Sequence, residues 1–366
     1  MRLLKHRLLL AGAALALAAS GPPAGAAIGG AAGGSHFQRI ATFPVYTNNP
    51  DMTDETVAEI VAATADGNTL VYTDGELQAV GFVGIQDPAA PVPQGIIAVG
   101  GEPTSVAVLG NDLVLVAVNT SASFIETSGK LVVIDVAQRV TVGEIALGGQ
   151  PDSIAVSPDE RFVAIAIEEE RNEELCVGGA NSGAPVPEDG PEAPGDITEE
   201  ECENAGGEVG IIPQTSGSPL DTNDNLDNPP GFLAIVDIVG FDPANWGLRT
   251  VDLTGLASVA PSDPEPEYVD IDFFNRAVVS LQENNHVAIV DLATGQVITD
   301  FSAGTVDLEG IDATEDDIIS LTESLADVPR EPDAVSWITA WPNPLIATAN
   351  EGDMFGGSRG FSVFDP

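Results

Sequence analysis

Two arginines and four carboxylates crowd the end of this chain. Arg330, Glu331 and Asp333 stand in "REPD", Glu351 and Asp353 in "NEGD", and Arg359 in "GGSRG". Carboxylates that converge repel one another, and a bound cation relieves that repulsion. Arginines beside them can hold an anion. Of the hydrolytic mechanisms, only a metal-assisted one has enough residues here. Arg330, Arg359 and Glu351 are then the candidate catalytic groups, and Glu331, Asp333, Glu351 and Asp353 the candidate metal ligands. The plainer assignment pairs Arg330 with a neighbouring acid. His36 and His286 are the only histidines beyond the N-terminal leader, which leaves little for a zinc site or a Ser–His–Asp set.

"REPDAVSWI" is also one of a series. "GEPTSVAVL" begins at Gly101, "GQPDSIAVS" at Gly149, "PEPEYVDID" at Pro264 and a weaker "DETVAEIVA" at Asp54. Each opens the same train of short runs. After the Gly101 copy come "LVLVAVN", "KLVVIDV" and "RVTVGEIALGG". After the Pro264 copy come "RAVVSLQE", "NHVAIVDL" and "QVITDFSAG". Alternating, β-branched runs of this length read as strands, and links such as "SPDE" and "ADGN" read as hairpin turns. Four strands in a unit of roughly 40–50 residues mark a β-propeller blade. The expected fold is therefore all-β, a propeller of four-stranded blades. Residues 37–366 divide into blades at about 37–101, 102–149, 150–264, 265–330 and an incomplete 331–366. About five blades are visible, so the ring is expected to be truncated.

That geometry places the residue before each first strand beside the residue after each second strand. The first group is Glu102, Gln150, Glu265 and Glu331. The second is Asp74, Asn119, Glu168, Glu283 and Glu351, with Asn350 next to the last. One rim near the central channel is expected to be rich in carboxylates and amides. A repeated structural duty, capping turns or bonding backbone amides, explains the same pattern without a ligand.

Composition limits the partners. Twelve basic against 57 acidic residues give 12 − 57 = −45, which argues against nucleic acid and anionic lipid. The acids solvate the surface, suit a salty medium, or bind divalent cations. Aromatics are 5% of the chain, while Gly (39) and Pro (27) are frequent, as short strands and turns require. "MRLLKHR", "LLLAGAALALAAS" and "AGA" at Ala24–Ala26 form a secretory signal peptide, 1–26, too short to span a membrane. A flexible linker, 27–36, follows. The mature chain is expected to be secreted, periplasmic or on the cell surface, with no membrane span. In that setting Cys176 and Cys202, the only cysteines, read as one disulfide.

The third unit carries an acidic insertion, 169–230, pinned by that disulfide. "DITEEECENAGG" suits a short helical turn capped by Asp196. Asp221, Asn223, Asn225 and Asp227 alternate as oxygen ligands do in calcium loops. Leu226 and Phe232 stand where an EF-hand needs Gly and Glu, and Asx turns account for the stretch equally well. A second excursion holds Asp307, Glu309 and Asp312 near a Gly, and its "EDDIISLTESLADV" reads as strand or short helix.

"QPDSIAVSPD", "LQENNHVAIVDL" and "REPDAVSWI…ATANEGD…GGSRGFSVFD" resemble exported bacterial propellers of the esterase-like phytase family. The choice-of-anchor surface proteins share the "EPDA…TANEGD" phrase, and the repeats are similar to YVTN-type surface propellers. The resemblance covers about residues 37–366. It implies Ca²⁺ binding phosphate and activating water, with Glu331, Asp333, Glu351 and Asp353 as ligands and Arg330 and Arg359 on the anion. Two functions remain open: a phytase-like or esterase-type hydrolase of small esters, or a non-catalytic propeller that binds a cell-surface partner or serves structurally.

Overall fold

Residues branched at Cβ recur along the chain and build strands almost everywhere. The computed structural model describes residues 38–122, 126–170, 174–177, 180, 198–206, 208–211, 229–313, 318–338, 344–352 and 358–366. The expected signal peptide and linker, Asp196, the loop with Asp221, Asn223, Asn225 and Asp227, and Asp353 lie outside the described residues.

Sheet 1 is β1 (Ala58–Ala63), β2 (Thr69–Asp74), β3 (Ala79–Gly84) and β4 (Val92–Ala98). Sheet 2 is β5 (Glu102–Leu109), β6 (Leu113–Asn119), β7 (Gly129–Asp135) and β8 (Val140–Ala146). Sheet 3 begins with β9 (Pro151–Val156) and β10 (Phe162–Ile167). The insertion then contributes β11 (Glu174–Val177), α1 (Glu199–Asn204) and β12 (Glu208–Ile211). β13 (Phe232–Asp237) and β14 (Gly247–Asp252) complete sheet 3. Sheet 4 is β15 (Pro266–Ile271), β16 (Arg276–Leu281), β17 (His286–Asp291) and β18 (Gln296–Ser302). A separate hairpin, β19 (Thr305–Ile311) and β20 (Glu323–Pro329), precedes sheet 5, which is β21 (Pro332–Ile338), β22 (Leu345–Asn350) and β23 (Gly360–Phe364).

Strands within each sheet run antiparallel in chain order. The first strands, β1, β5, β9, β15 and β21, form an inner row of neighbours. Four-stranded antiparallel sheets stacked around such a row, with almost no helix, fit a β-propeller.

Period-two alternation explains the stacking. On β6 and β7, Leu113, Leu115, Ala117, Leu131 and Val133 face sheet 3, where they meet Val163, Ile165, Ile167, Ala234 and Val236. The residues between them, Val114, Val116, Val118, Val132 and Ile134, face Val71, Val80 and Phe82 of sheet 1. Sheet 3 repeats the pattern toward sheet 4 through Phe162, Ala164, Leu233 and Ile235. Sheet 4 turns Val278, Val287 and Ile289 onto Val335, Trp337 and Ile346 of sheet 5. Both faces of the middle sheets are thus core, and each buried Leu or Ile contributes roughly 1.5–3 kcal/mol.

The scarce arginines clasp neighbouring sheets. Arg139 lies over the Phe82 ring at 4.1 Å and bonds Gln94 of sheet 1. Arg249 takes Asp237 in a two-point ion pair and reaches the Leu292 carbonyl of sheet 4 at 2.7 Å. Arg276 pairs with Asp272 and covers the Trp337 ring of sheet 5 at 4.8 Å.

Two local expectations are refined. α1 is capped by Thr198: its hydroxyl accepts from Glu201 N (3.2 Å), and Glu201 Oε2 accepts from Thr198 N (3.0 Å). This is a capping box. The stretch read as strand or helix yields β20, paired with β19. Cys202 is buried, and no cysteine among the described residues is free. The side chain of Cys176 lies outside the described residues.

Candidate functional site

The rim follows from strand register. Glu102 pairs with Asn119, the Glu168 amide donates to Gln150 O (3.0 Å), and the Glu351 amide donates to Glu331 O (3.1 Å). Pro151 opposes Ile167 and Pro266 opposes Leu281, so sheet 4 places Gln282 at the position that Glu168 holds in sheet 3. Glu283, the residue expected there, falls one place further on.

Most of the acids before the first strands do not face open space. Glu265 and Glu331 are 2% and 0% exposed, whereas Glu102 and Glu351 are exposed. Burial follows from the turn "QENN", Gln282–Asn285, which is buried throughout. Asn284 Nδ2 donates to the carbonyls of Val259 (3.1 Å), Ala260 (3.2 Å) and Asp263 (2.9 Å), and its Oδ1 accepts from Glu265 N at 2.9 Å. Asn285 Nδ2 donates to Gly304 O (3.1 Å), while its Oδ1 accepts from Arg330 N (3.2 Å) and Glu331 N (3.1 Å). Two adjacent amides thus bolt the approach to sheet 4 and the approach to sheet 5 onto one hairpin.

The hydrolytic candidates share this construction. The Arg330 guanidinium donates to Ala303 O at 2.9 Å. Glu331 has a left-handed backbone, φ +44°, under Asn285. Asp333 is half-buried, and its carbonyl accepts from Ser280 Oγ at 2.6 Å. Glu351 accepts from Gln282 Nε2 at 3.1 Å. Arg359 is exposed just ahead of β23. Among the described residues, no three Asp, Glu, His or Cys side chains converge as a metal cluster. His286 pairs with Asp300 at 2.9 Å across β17 and β18.

Ser358 is the centre of a G-x-S-x-G string, Gly356–Gly360. A nucleophile elbow needs a strand before it and a helix after it. Here strand β23 follows, and Ser358 is 6% exposed with its amide on Pro329 O (3.2 Å).

A second set of acids stands one step further in. Each repeated proline is followed by the next inner-strand residue: Asp152, Glu267 and Asp333 in sheets 3 to 5, Thr104 in sheet 2. Burial raises the Glu168 carboxyl well above its ordinary range, and Glu267, Asp152, Glu170 and Glu265 add repulsion. Burial also raises the Tyr268 hydroxyl, helped by Asp270, Asp152 and Asp333. The inner mouth between sheets 3 and 5 is therefore a region of crowded negative charge around one tyrosine. "PD" and "PE" in the repeated phrase were the available signal for Asp152 and Glu267.

Glu169 differs from these. It is fully buried with φ +58° and sits over Gly149, where any Cβ would overlap its Oε1. Burial pushes it up to about 6, against the lowering effect of Thr127 and the Gln150 backbone.

Comparison with known proteins adds a family. The family model described as the choice-of-anchor I domain matches residues 59–365. No curated protein matches the chain. Among solved structures, hydrazine synthase of Kuenenia stuttgartiensis is 14% identical, with 84% of this chain and 83% of that one covered and a TM-score of 0.38. The β-propeller domain of Myceliophteria thermophila Cps50 (Swd1) is 8% identical, with 84% and 83% covered and a TM-score of 0.40. A Bacteroides caccae protein of unknown function is 10% identical, with 85% and 78% covered and a TM-score of 0.40.

Proposed function

Because the chain belongs to the choice-of-anchor I family, we propose that it is a non-catalytic, exported propeller displayed at the cell surface. It binds a surface partner over its acidic rim. One observation carries this reading: the Arg330 guanidinium, which ester hydrolysis would need to hold the anion, is engaged in joining the end of sheet 4 to the start of sheet 5. Arg330 holds Ala303 O, and the backbones of Arg330 and Glu331 hang from Asn285. The phytase-like alternative, Ca²⁺-assisted cleavage of a phosphate or other ester, requires the Arg330 guanidinium to leave Ala303 O and the acids to close around an ion.

The same reading assigns residues 1–26 to export and Cys176–Cys202 to a bridge that staples the insertion. No helix among the described residues is long and apolar enough to cross a membrane. Ca²⁺, if it contributes, does so structurally at the Asp221–Asp227 loop. Two measurements test the proposal together. Protease shaving of intact cells should release the protein, and the pure protein should not turn over chromogenic phosphate or carboxylate esters with or without Ca²⁺. An intracellular protein, or sustained turnover, defeats it.

A further inference from the structure

Sheet 2 stacks on one face of sheet 1, and residues 38–48 lie over the other. Alternation sets the two faces. Val71, Val80 and Phe82 meet sheet 2, while Leu70 and Tyr72, with Val61 opposite Tyr72, turn away from it. Buried Asn48 fastens the covering segment. Its Nδ2 donates to Tyr72 OH (3.1 Å) and Phe82 O (3.0 Å), and its Oδ1 accepts from the amides of Gln94 (2.9 Å) and Gly95 (2.7 Å). The segment does not fill the space beneath it. A groove of about 600 Å³ remains, lined by Ile40 and Phe43 of the segment, by Val61, Leu70 and Tyr72 of the sheet, and by Pro91. That volume falls within the roughly 300–1,000 Å³ of ligand sites, which are likewise mostly apolar. Ile40 and Val61 are 68% and 61% exposed, so the groove is open from outside.

Two charged residues border it, Arg39 and Glu59. Glu59 lays its carboxylate by Gly75, next to that of Glu102. Arg39 is exposed and pairs with no acid among the described residues. Arg139, Arg249, Arg276 and Arg330, by contrast, are all engaged between sheets. We propose that this groove binds a free amphiphilic monocarboxylate, its hydrocarbon chain on the apolar floor and its carboxylate held by Arg39. A guanidinium fork matches a carboxylate in shape and charge. This binding goes beyond the surface-partner reading and does not depend on it. Another sheet could stack here only by displacing residues 38–48. A docked protein also needs roughly 1,200–2,000 Å² of buried surface, whereas a single hydrocarbon chain needs only the groove. The net charge of −45 repels anions at long range. At about 0.15 M salt, charges beyond roughly 8 Å are screened, which leaves the contact with Arg39.

Calorimetry of the full chain at that salt concentration, with decanoate as the probe, is the test. Decanoate should bind one to one and about tenfold more tightly than octanoate, because two further methylenes leave water. Arg39→Gln should weaken decanoate about fivefold, the upper range for an exposed charge pair, and leave uncharged 1-decanol unchanged. Val61→Glu sets a carboxylate in the groove and should abolish binding of both. Val140→Glu, the same change on exposed β8, should bind as wild type does. All three positions are exposed, so the variants fold. Anionic phosphatidylglycerol vesicles should not retain the protein, which separates a free carboxylate from a membrane. Absence of saturable decanoate binding, equal affinities for octanoate and decanoate, or equal decanoate affinities of wild type and Arg39→Gln would each overturn the proposal. Val61→Glu binding as Val140→Glu does, or retention on the vesicles, would overturn it too.

Discussion

Replacing Asn284 by alanine removes a hub that joins sheets 3 and 4. The amide is 2% exposed and makes four contacts: three carbonyls of the 259–263 segment share its two hydrogens, and Glu265 N donates to its oxygen. Counting the donated bonds as two and the accepted one as a third, at roughly 1 kcal/mol each, gives about 3 kcal/mol. The Glu265 amide left buried without an acceptor adds about 1 kcal/mol or more. The sum, about 4 kcal/mol, is at the upper end for a single substitution. Urea unfolding followed by tryptophan fluorescence measures it, since Trp246 and Trp337 are both buried in the flanking sheets. The midpoint should fall with an unchanged slope, because the folded surface is the same. A loss below about 1 kcal/mol would mean that Asn284 is no hub, solvent or a shifted loop replacing its bonds without cost.

Other outcomes follow from the same structure. Leu115→Ala empties a fully buried site between sheets 2 and 3 and should cost about 2–5 kcal/mol by the same urea assay. Glu169, raised to about 6 from an ordinary 4.5, favours the folded state most below pH 4.5, and that contribution fades as pH climbs through 6. Glu169→Gln should therefore gain about 2 kcal/mol over wild type at pH 7.5 and little at pH 4, and equal gains at both would contradict the assignment. Raising NaCl from about 0.05 to about 1 M should raise the Tm, since screening relieves the self-repulsion of a −45 chain. Under non-reducing, denaturing conditions iodoacetamide should leave Cys176 and Cys202 unlabelled, and labelling of either refutes the bridge.

The strands were legible because their physics is local. A run such as "LVLVAVN" alternates two apolar sets, and the structure sends Leu115 one way and Val116 the other. The turns at "SPDE" and "ADGN" were legible for the same reason. The rim was harder to read. Asn284 and Asn285 look like ordinary hairpin residues, and nothing near them in sequence names the carbonyls of 259–263 or Gly304 as partners. Glu265 and Glu331 look like surface acids until those amides draw the chain down over them. The arginine clasps escaped for a related cause: Arg139 meets Phe82 and Arg249 meets Leu292 only after the sheets stack. Side chains that bond across sheets depend on tertiary approach, which a period-two pattern does not encode.

Arg330 joins sheets 4 and 5 through Ala303 O rather than holding an ester. Hydrolysis of a chromogenic phosphate monoester by wild type and by Arg330→Ala, in millimolar Ca²⁺ and at high protein concentration, tests it most directly. Both proteins should run at the buffer rate. Calcium-dependent turnover in wild type that Arg330→Ala abolishes, while the variant stays folded, would contradict it.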